Sequence, residues 1–353
     1  AHEQAAAALL EKLLPDAWIS VSSAIAPVVG EYERSSTTAL NAAVAPRTVG
    51  YLRRLEQRLR DLGLRKHMLL IQNNGGAASV EQVASKPVTL LLSGPAAGVG
   101  ALTSYSRAIG SDDLISMEIG GTSCDAMLMA GGQVAVTDEF QVAGYHLALP
   151  SIDIHTIGAG GGTIAGVDGA GLMYAGPAGA GAVPGPAAYG IGGTEPTVTD
   201  AQLVLGRLRP GPYAGGSVTL HRDRAREAME RVLATPLGID VESAAAGIIR
   251  LVEQNLLHAV QRISIERGHD PRRFVLVACG GAGPMHGASV GRLLGCAKVY
   301  IPRLSGAFCA IGMLHSNVRH DLVRVTFAPL DDADPYQLDR RFAEMEADAR
   351  EML

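Results

Sequence analysis

Two glycine-rich turns carry most of the residues in this sequence that could do chemistry. The first turn contains Gly120, Gly121, Thr122 and Ser123. A phosphate group needs several backbone N–H groups that converge on it, and only residues without a bulky side chain allow that approach. Glu118 and Asp125 flank the turn and are suited to hold Mg²⁺, directly or through water. The turn therefore predicts a phosphate and metal site, and an ordinary tight hairpin is the alternative because glycine pairs are common.

The second turn lies between a predicted strand and a predicted helix. It contains Gly280, Gly281, Ala282 and Gly283. A ligand there would meet backbone amides at the N-terminus of the helix, which favours phosphate groups. The glycine spacing matches neither the dinucleotide-binding pattern nor the P-loop pattern, so a packing turn is the alternative interpretation. His286 follows the turn and is interpreted as part of a packed helix rather than as a catalytic group.

A third candidate combines an acid and a histidine, Asp153 and His155, with a glycine-rich run at residues 158–162. Two residues apart on a strand, the two side chains would share one face. They are therefore candidates for a general-base pair or for metal ligands. A polar strand end at a turn is the alternative interpretation.

The composition limits the class of protein. Hydrophobic residues make up 47% and charged residues 18% of the 353 residues, which is typical of a globular chain. The formal net charge of −5 argues against nucleic acid as a partner and favours small molecules or proteins. The four cysteines show no regular spacing, which predicts free thiols in a reducing compartment. The apolar runs are too short to span a bilayer, so we expect a cytoplasmic protein with no membrane partner.

The elements that position these residues alternate between helix and strand, as in layered α/β proteins. Strands are predicted around the two glycine turns at residues 114–119, 126–129 and 274–278, and elsewhere at residues 18–22, 68–72, 88–92 and 299–301. Helices are predicted at residues 38–62, 225–233, 244–267 and 336–353, and from the second turn to residue 294. The chain begins without Met inside a helical pattern and ends inside another, so we expect a piece of a longer polypeptide.

The order of the pieces distinguishes between these interpretations better than any single motif. A glycine–hydroxyl hairpin, a long mixed region and a strand–glycine turn–helix follow the order of the second phosphate loop and the adenosine loop in actin-like ATPases. The sequence also resembles the hydantoinase A and 5-oxoprolinase family over nearly its whole length. The segments that carry this resemblance are residues 30–38, 72–76, 93–98, 153–162, 195–200, 266–268 and 280–284.

This resemblance implies an α/β fold of the actin/Hsp70-like (ribonuclease H-like) ATPase type. We expect it to be incomplete at the N-terminus, because the family's first phosphate loop has no counterpart in this chain. The implied domains are the remainder of a first lobe at residues 1–110, a second lobe with both glycine turns at residues 111–315, and the start of a C-terminal region at residues 316–353. Residues 93–100 and 306–312 resemble the two helices that connect such lobes.

The family resemblance also implies an activity. Its members look like enzymes that use ATP to activate the carbonyl of a cyclic amide, such as a hydantoin, 5-oxoproline or a related lactam, for ring-opening hydrolysis. The implied cofactors are ATP and Mg²⁺ or another divalent metal, and the implied partner in an oligomer is a B-type hydantoinase subunit or domain. The alternatives are an A-type subunit of an acetone or acetophenone type of ketone carboxylase, and a non-catalytic assembly subunit.

Two departures from the family pattern concern the site itself. Glu118 stands where relatives carry Asp, which adds one methylene beside the implied metal. Val183 and Ala188 stand where relatives carry an acid and a thiol. The first difference bears on whether Glu118 binds the metal directly, and the second predicts a shifted substrate or a divergent reaction.

Overall fold

The computed structural model describes residues 2–138, 140–142, 144–326, 328–329, 331 and 333–352. Contacts within the chain divide it into two compact units. The first unit combines Ala1–Ser104, Val136–Asp153 and Cys309–Leu353, and the second combines Tyr105–Ala135 and Ile154–Phe308. The predicted division into a first lobe, a second lobe and a C-terminal region stays a prediction.

The helices and strands of the described residues alternate along the chain. The α-helices are α1 (His2–Leu13), α2 (Ser22–Ile25), α3 (Glu31–Asp61), α4 (Val80–Ser85), α5 (Ser93–Ala96), α6 (Gly98–Ile109), α7 (Val198–Val204), α8 (Arg222–Met229), α9 (Thr235–Leu237), α10 (Val241–Ile263), α11 (Gly283–Leu294), α12 (Phe308–His315) and α13 (Pro335–Met352). The strands are β1 (Leu69–Ile71), β2 (Ala77–Ser79), β3 (Leu114–Ile119), β4 (Cys124–Ala130), β5 (Gln133–Val134), β6 (Val136–Thr137), β7 (Phe140–Val142), β8 (Tyr145–Leu147), β9 (Ser151–Ile152), β10 (His155–Ile157), β11 (Thr163–Val167), β12 (Met173–Gly179), β13 (Gly211–Tyr213), β14 (Val218–Leu220), β15 (Val275–Cys279) and β16 (Lys298–Tyr300).

The second unit is built on a mixed sheet with the strand order β10-β4-β3-β15-β16, and β5 pairs with β4. The neighbours β10, β4 and β3 are antiparallel, whereas β15 runs parallel to both β3 and β16. Three antiparallel strands followed by two parallel ones, with the first strand in the middle, form the sheet of ribonuclease H-like domains. The predicted α/β class and fold type are confirmed.

One face of this sheet forms the core of the second unit together with α7, α10 and α11. Alternate residues of β3, namely Ile115, Met117 and Ile119, are at most 1% exposed and belong to this core. The long helix α10 supplies an apolar stripe to the same core. It begins after Asp240, whose side chain accepts a hydrogen bond from the N–H of Ser243 and so caps the first turn. Strand alternation therefore explains which residues of β3 face the core, and the Asp240 cap explains where α10 begins.

The predicted strand at residues 18–22 is wrong. Residues 18–21 adopt no regular structure, and Ser22 begins α2. The hydroxyl of Ser22 donates to the Glu3 carboxylate at 2.6 Å and accepts from the Arg34 guanidinium at 2.7 Å. Side chains therefore fix this segment, whereas a strand would need backbone partners on a neighbouring strand.

The predicted strand at residues 88–92 is also wrong. Pro87–Leu90 is a 3₁₀ helix with proline in its first turn, and α5 follows it closely. The backbone N–H of Val88 donates to the side-chain oxygen of Asn41 on α3 at 3.1 Å. The helical turn buries Val88 and half-buries the rest of the apolar run, and periodicity alone does not distinguish such a turn from a short strand.

All four cysteines are free thiols, as predicted, and the reducing compartment stays a prediction. Burial raises the pKa of the Cys124 thiol, and the nearby Asp125 and Glu118 carboxylates raise it further. Within the described residues, no single helix has both the length and the apolar composition needed to cross a membrane. Only the helix pair Arg222–Leu237 and Val241–Arg267, which is bent by 90°, meets both criteria when its two parts are joined.

The first unit contains α3 and the two-stranded sheets β1–β2, β6–β9 and β7–β8. Its helices include a very close approach at two glycines. A Cβ atom on Gly312 would overlap the backbone carbonyl of Ala97, and one on Gly100 would overlap the carbonyl oxygen of Gly312. Only glycine lets two backbones come this close. Both glycines belong to the segments that resemble connecting helices.

Replacing Gly312 tests this contact. We expect Gly312→Ala to lower the free energy of unfolding by roughly 1–3 kcal/mol, because the added methyl group meets backbone that cannot rotate away. In the control Gly306→Ala, the methyl group meets nothing within 4 Å, and we expect a change of less than about 0.5 kcal/mol. Urea unfolding of both variants measures the difference. Equal stability of the two variants would contradict the close contact.

Candidate functional site

The first glycine turn is the tip of the β3–β4 hairpin, as predicted. The N–H of Gly120 donates to the carbonyl of Ser123 at 3.0 Å and closes the turn. Gly120, Gly121 and Thr122 are exposed, and Ser123 is half-buried. The turn therefore presents backbone and hydroxyl groups to solvent at the carboxyl end of β3.

A second glycine segment supports this turn from behind. The N–H of Gly161 donates to the carbonyl of Gly120 at 3.0 Å, and that of Gly162 donates to Gly121 at 2.7 Å. A Cβ atom on Gly160 would lie 2.7 Å from backbone atoms of Gly121 and Thr122, closer than any real Cβ contact. The glycine run is thus required by backbone-on-backbone packing.

Helix α7 in turn holds the glycine run. Both the backbone N–H and the hydroxyl of Thr199 donate to the carbonyl oxygen of Gly161 at 2.8 Å. Thr199 lies in the first turn of α7, which is closed by a capping box between Thr197 and Asp200. The fixed N-terminus of α7 therefore determines where the glycine run, and with it the first turn, is placed.

The second glycine turn leaves the same edge of the sheet. Because β15 is parallel to β3 with Cys279 beside Glu118, both strands end side by side. The N–H of Ala282 donates to the carbonyl of Ile119 at 2.9 Å, and Gly280 has a φ of +79°, the left-handed region that favours glycine. The two predicted turns are therefore neighbours in space, and the second one opens α11 at Gly283.

The N-terminus of α11 adds partial positive charge to this edge of the sheet. The first N–H groups of a helix lack intrahelical partners and carry partial positive charge. The edge therefore combines exposed turn amides, two hydroxyl side chains and a helix N-terminus, which are groups that bind phosphate oxygens.

The flanking carboxylates lie on the sheet face opposite the core. Glu118 and Asp125 are directly opposite each other in the β3–β4 register, so their side chains point the same way. The hydroxyl of Thr156 on β10 donates to the Asp125 carboxylate at 2.6 Å. Burial raises the pKa of Asp125, and the Thr156 hydrogen bond acts in the opposite direction.

Two carboxylates suit Mg²⁺, which usually keeps several waters and completes its shell with substrate phosphates. Among the described residues, no group of three or more His, Cys, Asp or Glu side chains could hold a metal ion. The donor set thus fits a metal shared with a phosphate and not a closed all-protein site. The role of Glu118 and Asp125 as metal ligands stays a prediction.

Asp153 and His155 do not lie on one strand, contrary to the sequence interpretation. Ser151–Ile152 is β9, which pairs with β6, whereas His155 begins β10, which pairs with β4. The two residues also belong to different units, with the division after Asp153. The chain leaves one sheet and enters another between them, so alternation along a strand no longer places their side chains together. Their catalytic role stays a prediction.

Within the second unit, His155 faces α10, since its register partner Ala126 belongs to the core face. It borders a cavity of about 500 Å³ whose polar lining includes Asn255, His258, Arg262 and Glu266. Sequence reasoning did not single out Thr156 or Thr199, the two hydroxyls that hold Asp125 and Gly161. The Thr197–Asp200 capping pattern was the available signal for Thr199, because it marks the start of a helix.

Comparison with known proteins agrees with this geometry. The model of the family described as Hydantoinase/oxoprolinase matches residues 34–322. The chain belongs to the hydantoinase/oxoprolinase family. It is 40% identical to caprolactamase subunit alpha of Pseudomonas jessenii over 94% of this chain and 48% of that protein. The chain spans about half the length of two of the curated relatives it matches and 25% of 5-oxoprolinase 1 of Arabidopsis thaliana.

Solved structures place this family member in the expected fold. The crystal structure of the ATP-dependent caprolactamase from Pseudomonas jessenii superposes with a TM-score of 0.87 at 38% identity, covering 100% of this chain and 51% of that one. A nucleotide-free acetone carboxylase structure superposes with a TM-score of 0.76 at 29% identity, covering 84% of this chain and 41% of the other. The actin-like ATPase fold expected from the sequence is consistent with both.

Asp125 gives a pH test of the site. Its pKa is raised in the folded state, so its stabilising contribution is complete below its ordinary pKa and is lost as pH rises through the raised value. We therefore expect Asp125→Asn to be more stable than the wild type at neutral pH, with the difference vanishing at acidic pH. Thermal unfolding in EDTA from neutral pH down to about pH 3, below the ordinary aspartate pKa, measures this. A variant less stable than the wild type at neutral pH would show that the charge is not penalised.

Gly160 gives a test of the backbone support. We expect Gly160→Ala to cost roughly 1–3 kcal/mol of stability, because its methyl group collides with the backbone of Gly121 and Thr122. The control Gly169→Ala places a methyl group where nothing lies within 4 Å, and should be nearly neutral. Urea unfolding compares them, and a neutral Gly160→Ala would mean that the two segments are separable.

Proposed function

We propose that this chain is the nucleotide-binding part of an ATP-dependent enzyme that opens cyclic amides. The observation that carries the proposal is the placement of both glycine turns at one edge of a ribonuclease H-like sheet, joined by the Ala282–Ile119 hydrogen bond. One turn offers amides and hydroxyls for phosphate groups, and the other offers the start of a helix. Together they form one half of a nucleotide site.

The residues at this edge of the sheet have different roles in the proposed site. Thr122 and Ser123 donate to phosphate oxygens, and the amides of residues 121 and 122, which the turn does not use for its own closure, are available to the same group. Glu118 and Asp125 would hold Mg²⁺ through one or two oxygens, leaving its other positions to water and phosphate. Bound ATP would supply a phosphoryl group that activates the amide oxygen, which makes the resonance-stabilised carbonyl attackable by water. Thr156 keeps Asp125 oriented through its hydrogen bond.

Similarity to caprolactamase supports a cyclic amide as the substrate. That relative is named for action on a lactam, and it shares 40% identity with this chain. Similarity to acetone carboxylase, at 29% identity in the structural comparison, supports ketone carboxylation as the second candidate. Relatives are named as subunits, which supports assembly with a second, B-type chain or domain.

Nucleotide binding is tested by calorimetry of the full-length protein with Mg-ATP. We expect Thr122→Ala to weaken binding by about tenfold or more, because a hydrogen bond to a charged phosphate contributes about 1.5–3 kcal/mol. The control is Thr219→Ala, which removes an exposed hydroxyl on β14. Equal affinity of both variants, or no affinity in the wild type, would sink the proposed site.

The reaction is tested by ATP hydrolysis with the partner chain present. We expect ε-caprolactam, a hydantoin or 5-oxoproline to stimulate hydrolysis, because each presents a cyclic amide oxygen for activation. Acetone or acetophenone with bicarbonate are the comparison substrates. Stimulation by the ketones alone would favour carboxylation, and stimulation by none of them would favour a non-catalytic assembly role.

A further inference from the structure

A buried polar cluster joins three helices behind the second glycine turn. His286 on α11 is 1% exposed, Gln202 on α7 is 0% exposed and Glu253 on α10 is 8% exposed. The His286 ring nitrogen Nε2 lies 3.3 Å from the Gln202 amide nitrogen, and Nδ1 lies 3.4 Å from the Glu253 carboxylate. The cluster therefore places the two ends of one imidazole against two different helices.

One tautomer of neutral histidine satisfies both contacts. With its proton on Nδ1, His286 donates to Glu253, and its Nε2 accepts from the Gln202 amide. The Gln202 oxygen has no hydrogen-bond partner among the described residues, so His286 is the polar contact that orients this amide. Arg207 lies 4.0 Å from Glu253 and balances its charge. The imidazole is thus specified as a bridge between α7 and α10.

Two of the three helices in this cluster, α7 and α11, lead to the candidate site. His286 lies in the first turns of α11, directly after the second glycine turn. Gln202 lies on α7 one turn after Thr199, which holds Gly161 with two hydrogen bonds of 2.8 Å. Gly161 in turn holds Gly120 of the first turn. Helix α7 therefore contacts the support of one turn and the helix of the other.

We propose that His286 and Gln202 are positioning residues whose contact lets α7 set the spacing between the two glycine turns. Neither residue reaches the exposed tip of the first turn, so they act through α7 and α11. The part that concerns nucleotide affinity rests on the proposed function. The structural part, that a change at His286 alters the backbone support of the first turn, does not depend on the proposed function.

Core stabilisation alone does not account for these residue types. Buried polar groups cost free energy unless paired, and an apolar trio of similar size usually stabilises a core equally well. A polar contact differs from an apolar one because it fixes direction as well as distance. Here it fixes a seven-residue helix, α7, whose N-terminus carries Thr199.

Two substitutions of His286 separate the contacts. Asparagine places its amide nitrogen near the position of Nδ1, so His286→Asn retains the Glu253 contact and loses Gln202. Glutamine reaches the position of Nε2, so His286→Gln retains the Gln202 contact and loses Glu253. The two variants differ by one methylene and both remove the ring, so they are matched for packing loss.

Amide hydrogen exchange and Mg-ATP calorimetry of the full-length protein give the readouts. In His286→Asn we expect exchange at Gly161 and Gly162 to accelerate by about tenfold, and the Kd for Mg-ATP to rise by about tenfold. In His286→Gln we expect both to stay within about threefold of the wild type. Val204→Ala, which removes buried apolar volume from α7, is the control for general destabilisation and should leave both readouts within about threefold.

The outcomes separate this inference from the proposed function. Unchanged exchange at Gly161 and Gly162 in His286→Asn overturns the positioning role, whether or not nucleotide binds. Equal acceleration in His286→Asn, His286→Gln and Val204→Ala also overturns it, since only general loosening would remain. Absence of Mg-ATP binding in the wild type sinks the nucleotide site alone, because the exchange measurement needs no ligand.

Discussion

The contact between the glycine run and the β3–β4 turn is the constraint on which the site depends. Two backbone hydrogen bonds, from Gly161 and Gly162, hold the turn, and Gly160 passes within contact distance of its peptide groups. Any side chain at Gly160 would separate the two segments, and the first turn would then lose its support. The shape of the site is therefore set by backbone atoms, with side chains added at its edges.

Close backbone packing at glycine residues occurs elsewhere in the molecule as well. Gly280 lies against the backbone of Ile119, and Gly312 lies against Ala97 in the first unit. With 43 glycines and only 4% aromatic residues, the sequence favours close backbone packing over large interlocking side chains. This packing leaves little room for adjustment, because a backbone carbonyl cannot rotate away as a side chain can.

The carboxylates illustrate the opposite requirement. The carboxyl group of Asp125 lies beside Glu118, where burial raises its pKa and so disfavours its charged form. The hydrogen bond from the Thr156 hydroxyl offsets part of that cost. Such a penalised charge is typical of groups retained for binding or catalysis. The buried polar cluster at His286 is a second case in which polar groups are kept despite the cost of burial. There the hydrogen bonds fix the orientation of the contacting helices, which an apolar contact would not do.

The sequence alone determined the α/β class, the strands around both turns, the free cysteines and, through its motifs, the family. These features depend on the alternation of apolar and polar residues, on turn residues and on contiguous family motifs, all of which can be recognised in the sequence without knowing the fold. The pairing of β3 with β15, the support of Gly120 by Gly161 and Thr199, and the end of one strand and start of another between Ile152 and His155 were decided by the tertiary structure. Each depends on contacts between segments that are distant in the sequence or on which strand a segment pairs with, and periodicity specifies neither. For the same reason, residues 18–22 and 88–92 were wrongly predicted to be strands. Their hydrogen-bond partners include the side chains of Arg34 and Asn41, which the local sequence pattern does not reveal.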